Sequence, residues 1–241
     1  MKKVSLFLCL LLWFSCSTSD SDGEPMIEET NELTKAETDL LSQYEYMAFN
    51  FDSEWEGPEL SSKWVGEVKL FLDGDISEEY RNNTQGVLTT LNSFLTDGTQ
   101  LVLVETAEDA DIHLFSGTRE EMGEIWPDMI EVMNGRSFTG FYLYEWDSSF
   151  NIFTGRLWVS NPGMPLLRHE VGHILGLGHA DASGCGTGQR SVMCSGFASD
   201  FSDADETILR LLYHPSVPSG RTYEQLREIL EELLRSNAVD F

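Results

Sequence analysis

The sequence predicts an α/β fold of the α+β kind, with a mixed, twisted sheet of five strands, a histidine-bearing helix and a small C-terminal helical subdomain. Strand, helix and strand patterns follow one another over residues 68–115, which implies a right-handed crossover and a partly parallel sheet. Two more strand patterns precede the histidine-bearing helix, and the patterns after it are helical. The sheet is therefore expected before this helix and the helical subdomain after it.

The elements of the first half follow from capping and periodicity. Thr34 and Glu37 form a capping box, so a helix is predicted from there to about Tyr46. The unbroken apolar run Leu101–Val104 is typical of a central strand buried on both faces. The other predicted elements are a strand at 68–72 ending in the Asp73-Gly74 turn, a helix at 77–95 and a strand at 110–115. Glycines and a proline within 117–136 predict a long irregular excursion.

Strand periodicity returns after this excursion, and helices follow. The predicted elements are strands at 138–145 and 155–160 that can form a hairpin, a helix opened by Pro165, a helix from the Ser202 and Asp205 cap to about Tyr213, and a helix from the Thr222 and Gln225 cap. We expect the last helix to pack on the domain, with binding of a partner as the alternative.

The helix opened by Pro165 carries residues with the spacing of a catalytic metal site. His169 and His173 are four residues apart, which places them about 40° apart on one helical face, and Glu170 projects beside that face. Gly176 can adopt positive φ and turn the chain so that His179 returns to the same point. Three neutral imidazoles at roughly 2.0–2.1 Å from one zinc ion would leave an open coordination position, as catalytic sites do.

These residues match the metzincin signature H-E-x-x-H-x-x-G-x-x-H, and Ser191-Val192-Met193 resembles the methionine turn of that family. A core helix that happens to hold two histidines is the alternative, but it leaves Gly176, His179 and Met193 unexplained. The resemblance implies a metzincin-like zincin fold, similar to that of matrixins, with 138–145 as the edge strand beside the cleft. It also implies a zinc endopeptidase with one catalytic Zn²⁺, in which Glu170 is the general base.

Two positions depart from relatives within the metzincins. Astacins and serralysins have a tyrosine two residues after the methionine, whereas this chain has Ser195. The residue after the third histidine is Ala180, which assigns no subfamily. The resemblance places the segment 195–201 at the wall of the pocket just past the scissile bond. Phe197 is the large apolar residue there, so it is expected either to line this pocket or to be buried in the core.

The charge of the chain limits its partners. Its 241 residues carry 15 basic and 41 acidic side chains, giving a formal net charge of −26. Such a chain cannot neutralise phosphates, so we expect neither nucleic-acid binding nor electrostatic docking on anionic lipid. A protein or peptide substrate and a monomeric chain are expected. The charge itself is explained by solubility, or alternatively by attraction of basic substrates.

The N-terminal residues have the pattern of an export signal. Two lysines precede the apolar run 4–14, which is too short to span a bilayer, and Cys16 follows it. This arrangement resembles a bacterial lipoprotein cleavage site, with a soluble secreted product as the alternative. The predicted parts are a signal peptide at 1–15, a lipid-anchored acidic tether and possible pro-segment at 16–62, and the catalytic domain with its extra C-terminal helix at 63–241. Membrane contact is expected only through the lipid on Cys16, at the outer membrane or cell surface.

Two cysteines remain in the expected domain. Cys185 and Cys194 form an even pair in an oxidising compartment, so a disulfide is predicted that braces the loop before Met193. Two free thiols are the alternative, and a second zinc site fits less well because no histidine lies near these cysteines.

Three functions remain open at this stage. The motif favours a zinc endopeptidase, a zinc hydrolase of a non-protein amide is the alternative among enzymes, and a catalytically idle surface-binding lipoprotein is the alternative outside them. Glu170 favours an enzyme because a purely structural metal site needs no base.

Overall fold

The computed structural model describes residues 32–49, 60–186, 190–196 and 198–239. Helices and strands follow in the order α1 (Lys35–Ala48), β1 (Lys63–Trp64), β2 (Glu67–Gly74), α2 (Glu78–Phe94), β3 (Gln100–Val104), β4 (Ile112–Ser116), α3 (Arg119–Ile125), α4 (Pro127–Met133), β5 (Gly140–Trp146), β6 (Asn151–Val159), α5 (Met164–Ile174), α6 (Asp203–Leu212) and α7 (Tyr223–Arg235). A single 3₁₀ turn, Ala107–Asp109, leads into β4. The fold among these residues is a mixed α/β structure.

The sheet is parallel except at one edge. Its path runs β1-β6-β4-β2-β3, with β1 paired to the first residues of β6. β5 forms an antiparallel hairpin with β6, with Gly140 opposite Val159 and Trp146 opposite Ile152. Among the described strands β5 pairs only with β6, so its outer edge is open for further pairing.

Each face of the sheet is covered by a different apolar cluster. Because side chains alternate along a strand, Leu114 points into the larger cluster with α2 and α5, whereas Phe115 points into the other. The smaller cluster lies under α3 and α4 and consists of Phe115, Met122, Trp126, Met129, Met133, Phe141 and Trp158. Helix α5 therefore lies on the face opposite α3 and α4.

Helix α1 is part of the same core, although its residues fall in the segment 16–62 that the sequence assigns to a tether. Leu40, Tyr44 and Met47 are at most 2% exposed and belong to the larger cluster. The helix packs against α6 and α7, and Phe49 just after it meets the ring of Tyr223 edge-on. The compact unit that contains the sheet spans Glu32–Phe241.

Three predictions about elements are wrong. The sheet has six strands rather than five, because the two residues of β1 also pair. Leu101–Val104 lies in an edge strand, since the two crossovers from β2 place β3 and β4 on its opposite sides. The excursion 117–136 holds α3 and α4: Thr118 and Glu121 form a capping box, and Pro127 starts α4 instead of breaking a helix.

The other predicted helices and the hairpin are confirmed within one to four residues at their ends. The predicted signal peptide at 1–15, Cys16 and the pocket residue Phe197 lie outside the described residues.

Nowhere in the described part of the chain is there a helix long and apolar enough to cross a membrane.

If α1 is a permanent part of the domain, shortening a buried side chain on it should destabilise the whole protein. Leu40→Ala should lower the free energy of unfolding by about 2–5 kcal/mol, since Leu40 is 2% exposed. Ser42→Ala, on the exposed face of α1, is the control and should change it by less than about 0.5 kcal/mol. Chemical denaturation measures both. Equal free energies of unfolding for the two variants would show that packing of α1 does not contribute to the stability of the domain.

Candidate metal centre

The two helical histidines lie on one face of α5, and its opposite face anchors the helix. His169 and His173 are each 4% exposed. Leu167, Val171 and Ile174 are fully buried in the larger apolar cluster, as their spacing predicts. Burial of this second face fixes the rotation of the helix, and with it the direction in which both imidazoles project.

The third histidine reaches the site because the chain reverses at Gly176. This residue has φ +98°, and a Cβ on it would lie 2.6 Å from the carbonyl oxygen of Ser62. Any other residue would be strained and would collide with backbone. Gly178 then donates its N–H to the carbonyl oxygen of Met47 at 2.6 Å, so α1 holds the residue just before His179. The turn is therefore fixed from two sides.

The three histidines converge as a metal site requires. One ligand nitrogen from each of His169, His173 and His179 lies within 4.8 Å of the other two. The Nε2 atoms of His169 and His173 are 3.1 Å apart. Two nitrogens bound tetrahedrally to zinc would be about 3.3 Å apart, given zinc–nitrogen bonds of roughly 2.0–2.1 Å. The donor set therefore fits zinc, although three imidazoles also suit other transition metals.

Backbone carbonyls set the tautomer of both helical histidines. Nδ1 of His169 lies 2.7 Å from the carbonyl oxygen of Val192, and Nδ1 of His173 lies 2.7 Å from that of Leu177. Each Nδ1–H therefore donates, which leaves Nε2 with its lone pair directed at the cluster. Burial lowers the pKa of His169 to about 4 and that of His173 well below its usual value. Both rings are neutral at physiological pH, as metal ligands must be.

Glu170 is buried beside the histidines and faces the start of β5. It is 4% exposed, and a Cβ on Gly140 would overlap its carboxylate. The missing side chain at Gly140 thus makes the room that this carboxylate occupies. Burial raises the pKa of Glu170 to about 8. A divalent cation nearby would favour the ionised carboxylate, because opposite charges a few ångströms apart attract strongly in a buried site.

The turn Ser191-Val192-Met193 lies directly under α5. Met193 is fully buried, and a Cβ on Gly172 would overlap its sulfur. Val192 supplies the carbonyl that orients His169. The turn and the ligand helix are therefore in close contact at two points.

The buried carboxylate of Asp205 holds this turn in place. It accepts the hydroxyl of Ser191 at 2.5 Å and the N–H of Val192 at 3.0 Å. It also accepts the N–H and hydroxyl of Ser202 at the cap of α6. Because the carbonyl oxygen of Val192 in turn accepts a hydrogen bond from His169 Nδ1–H, Asp205 connects the start of α6 to His169.

The predicted disulfide between Cys185 and Cys194 is present. It joins the loop after His179 to the residue that follows Met193. Ala180 also donates its N–H to the carbonyl oxygen of Met193 at 3.0 Å. The segment that carries His179 and the turn that carries Met193 are thus tied by one covalent bond and one hydrogen bond. A disulfide is typical of proteins in oxidising compartments outside the cytosol.

The structure brings together most of the residues predicted for the site. His169, His173 and His179 form the cluster, Glu170 lies beside it and Met193 beneath it. Sequence reasoning missed three contributors: Gly140 and Tyr142, both on β5, and Asp205 on α6. Asp205 was visible only as part of a helix cap, and nothing in the pattern of β5 distinguished Gly140 or Tyr142 as site residues.

No family model and no curated protein matches this chain. The assignment of function therefore depends on the motif and on the geometry of the site.

Because Gly172 on α5 contacts Met193, adding one methyl group at Gly172 is expected to lower both stability and metal affinity. Gly172→Ala should destabilise the protein by about 1–3 kcal/mol and weaken metal binding, because the new Cβ displaces the sulfur of Met193. Thermal unfolding with and without added zinc measures both effects.

Gly86→Ala is the matched control, since Gly86 is exposed on α2 and a Cβ there meets nothing within 4 Å. It should stabilise the protein by about 0.5–1 kcal/mol through helix propensity. If Gly172→Ala behaved like Gly86→Ala, the packing of Met193 under the site would be refuted.

Proposed function

We propose that this protein is a zinc-dependent endopeptidase of the metzincin type. The observation that carries the proposal is the convergence of three neutral imidazoles within 4.8 Å, next to a buried carboxylate that belongs to the same helix. Three nitrogen ligands leave one position open for chemistry, whereas structural zinc sites are closed by four protein ligands. The spacing H-E-x-x-H-x-x-G-x-x-H and the methionine turn support the same family.

The protein's own groups have distinct roles in this proposal. His169, His173 and His179 would hold the ion, and zinc, when bound, supplies a Lewis acid that polarises a carbonyl oxygen and acidifies water. Glu170 takes a proton from the attacking water onto its carboxylate and delivers it to the leaving amine.

The open edge of β5 supports a polypeptide substrate. Its backbone donors and acceptors can pair with an extended segment, which would lie beside Glu170 and His173 because Gly140 and Tyr142 contact these two residues. Backbone pairing gives affinity with little sequence preference, so a side-chain pocket must provide selection. Phe197 remains our candidate for the pocket just past the scissile bond.

We also propose export of this protein as a lipoprotein anchored through Cys16, with secretion of a soluble form as the alternative. The disulfide between Cys185 and Cys194 supports an oxidising compartment. The acyl mass at the mature N-terminus, measured on the intact protein, distinguishes the anchor from a soluble product.

Two variants separate binding of the metal from catalysis. Glu170→Gln should retain one zinc per chain, since Glu170 is not a ligand, and should lose about 10²-fold or more of its rate of peptide cleavage because the base is gone. His173→Ala should lose both zinc and activity. Zinc analysis and a screen of cleaved peptides from a whole-proteome digest measure the two properties.

Full activity in Glu170→Gln would refute the mechanism. Zinc binding without cleavage of any peptide by the wild type would favour the catalytically idle alternative, and cleavage of small amides alone would favour a hydrolase of non-protein substrates.

A further inference from the structure

An aromatic column runs along the helix-facing side of β5 and ends on a metal ligand. The ring of Tyr142 lies face to face with the imidazole of His173, with centroids 4.5 Å apart and planes 14° apart. Tyr144 stacks on Tyr142 at 5.9 Å, and Trp146 meets Tyr144 edge-on at 5.8 Å. Phe150 stacks on Trp146 at 6.2 Å at the tip of the hairpin. The column thus extends from the tip of the hairpin to the candidate metal centre.

The hydrogen bond from Nδ1 of His173 to the carbonyl of Leu177 does not by itself fix the ring. It anchors one edge of the imidazole, but the ring can still tilt about that contact. The face of Tyr142 lies parallel to the imidazole and opposes such a tilt. Tyr144 stacks on the ring of Tyr142 in turn. Both tyrosines lie on β5, which is held by its pairing with β6, so the ring that contacts His173 is itself supported.

We propose that Tyr142 is a positioning residue for the metal, acting through the ring of His173. This inference rests on the metal centre of the proposed function but not on peptide cleavage. A metal bound at Nε2 draws electron density from the imidazole and gives the ring a partial positive charge. The electron-rich face of Tyr142 attracts such a ring more strongly than a metal-free one. Tyr142 therefore stabilises the metal-bound state of His173 more than the metal-free state, in addition to packing against the ring.

A series of substitutions separates the aromatic face from simple packing. Tyr142→Phe retains the face and removes only the hydroxyl, whereas Tyr142→Leu retains apolar volume without a π-system. The matched control is Phe153→Leu, which makes the same kind of change on β6 in the same hairpin at a side chain that is 51% exposed. All proteins are loaded with zinc, and the rate of zinc release to an excess of chelator is measured.

Tyr142→Leu should release zinc about tenfold faster than the wild type, in line with the roughly 10- to 100-fold losses seen when a partner of a metal ligand is removed. Tyr142→Phe should release zinc at a rate within about twofold of the wild-type rate. Phe153→Leu should release zinc at the wild-type rate. Unfolding of the metal-free proteins shows whether each variant is folded. If Tyr142→Leu does not fold, Tyr142→Met, whose flexible side chain fills irregular space, takes its place.

Wild-type release from Tyr142→Leu would overturn the proposal. Equally fast release from Tyr142→Phe and Tyr142→Leu would also overturn it, since the hydroxyl rather than the face would then matter. A wild type that binds zinc but cleaves no peptide would refute the proposed peptidase activity and leave the role of Tyr142 supported by the release rates.

Discussion

The site depends on bringing three imidazoles from two parts of the chain to one point. A helix can place two of them by its own geometry, but the third needs a tight reversal of the chain. Gly176 provides that reversal with a positive φ and with backbone of Ser62 packed where a side chain would be. The hydrogen bond from Gly178 to Met47 then fixes the approach of His179. Without this turn the chain would offer only a pair of helical histidines.

The rest of the fold can be understood as support for that convergence from three directions. Below α5, the methionine turn packs on Gly172 and is held by the buried carboxylate of Asp205. Beside it, the disulfide ties the loop after His179 to the same turn. Above it, β5 leaves space for Glu170 at Gly140 and places an aromatic ring on His173. These contacts hold the three imidazoles and Glu170 in place from several sides.

The sequence predicted the convergence of the three histidines because the geometry behind it is local. The spacing of His169 and His173 and the conformational freedom of Gly176 are properties of short segments, and their expected convergence is found. Tyr142 and Asp205 could not be identified, because their roles depend on contacts between elements distant in sequence. The prediction missed α3 and α4 because it took the glycines and Pro127 within 117–136 as signs of irregular structure, whereas Pro127 begins α4. The error over β3 arose because an apolar run does not reveal how many neighbours a strand has.

The central claim is that this chain binds one zinc ion through three imidazoles and keeps one position open. X-ray absorption at the zinc edge of the loaded protein tests it most directly. We expect about four light ligands at roughly 2.0–2.1 Å, with multiple-scattering features of about three imidazoles and one further oxygen from solvent. A sulfur ligand at about 2.3 Å, a fourth protein ligand that closes the site, or a failure to bind zinc would contradict the account.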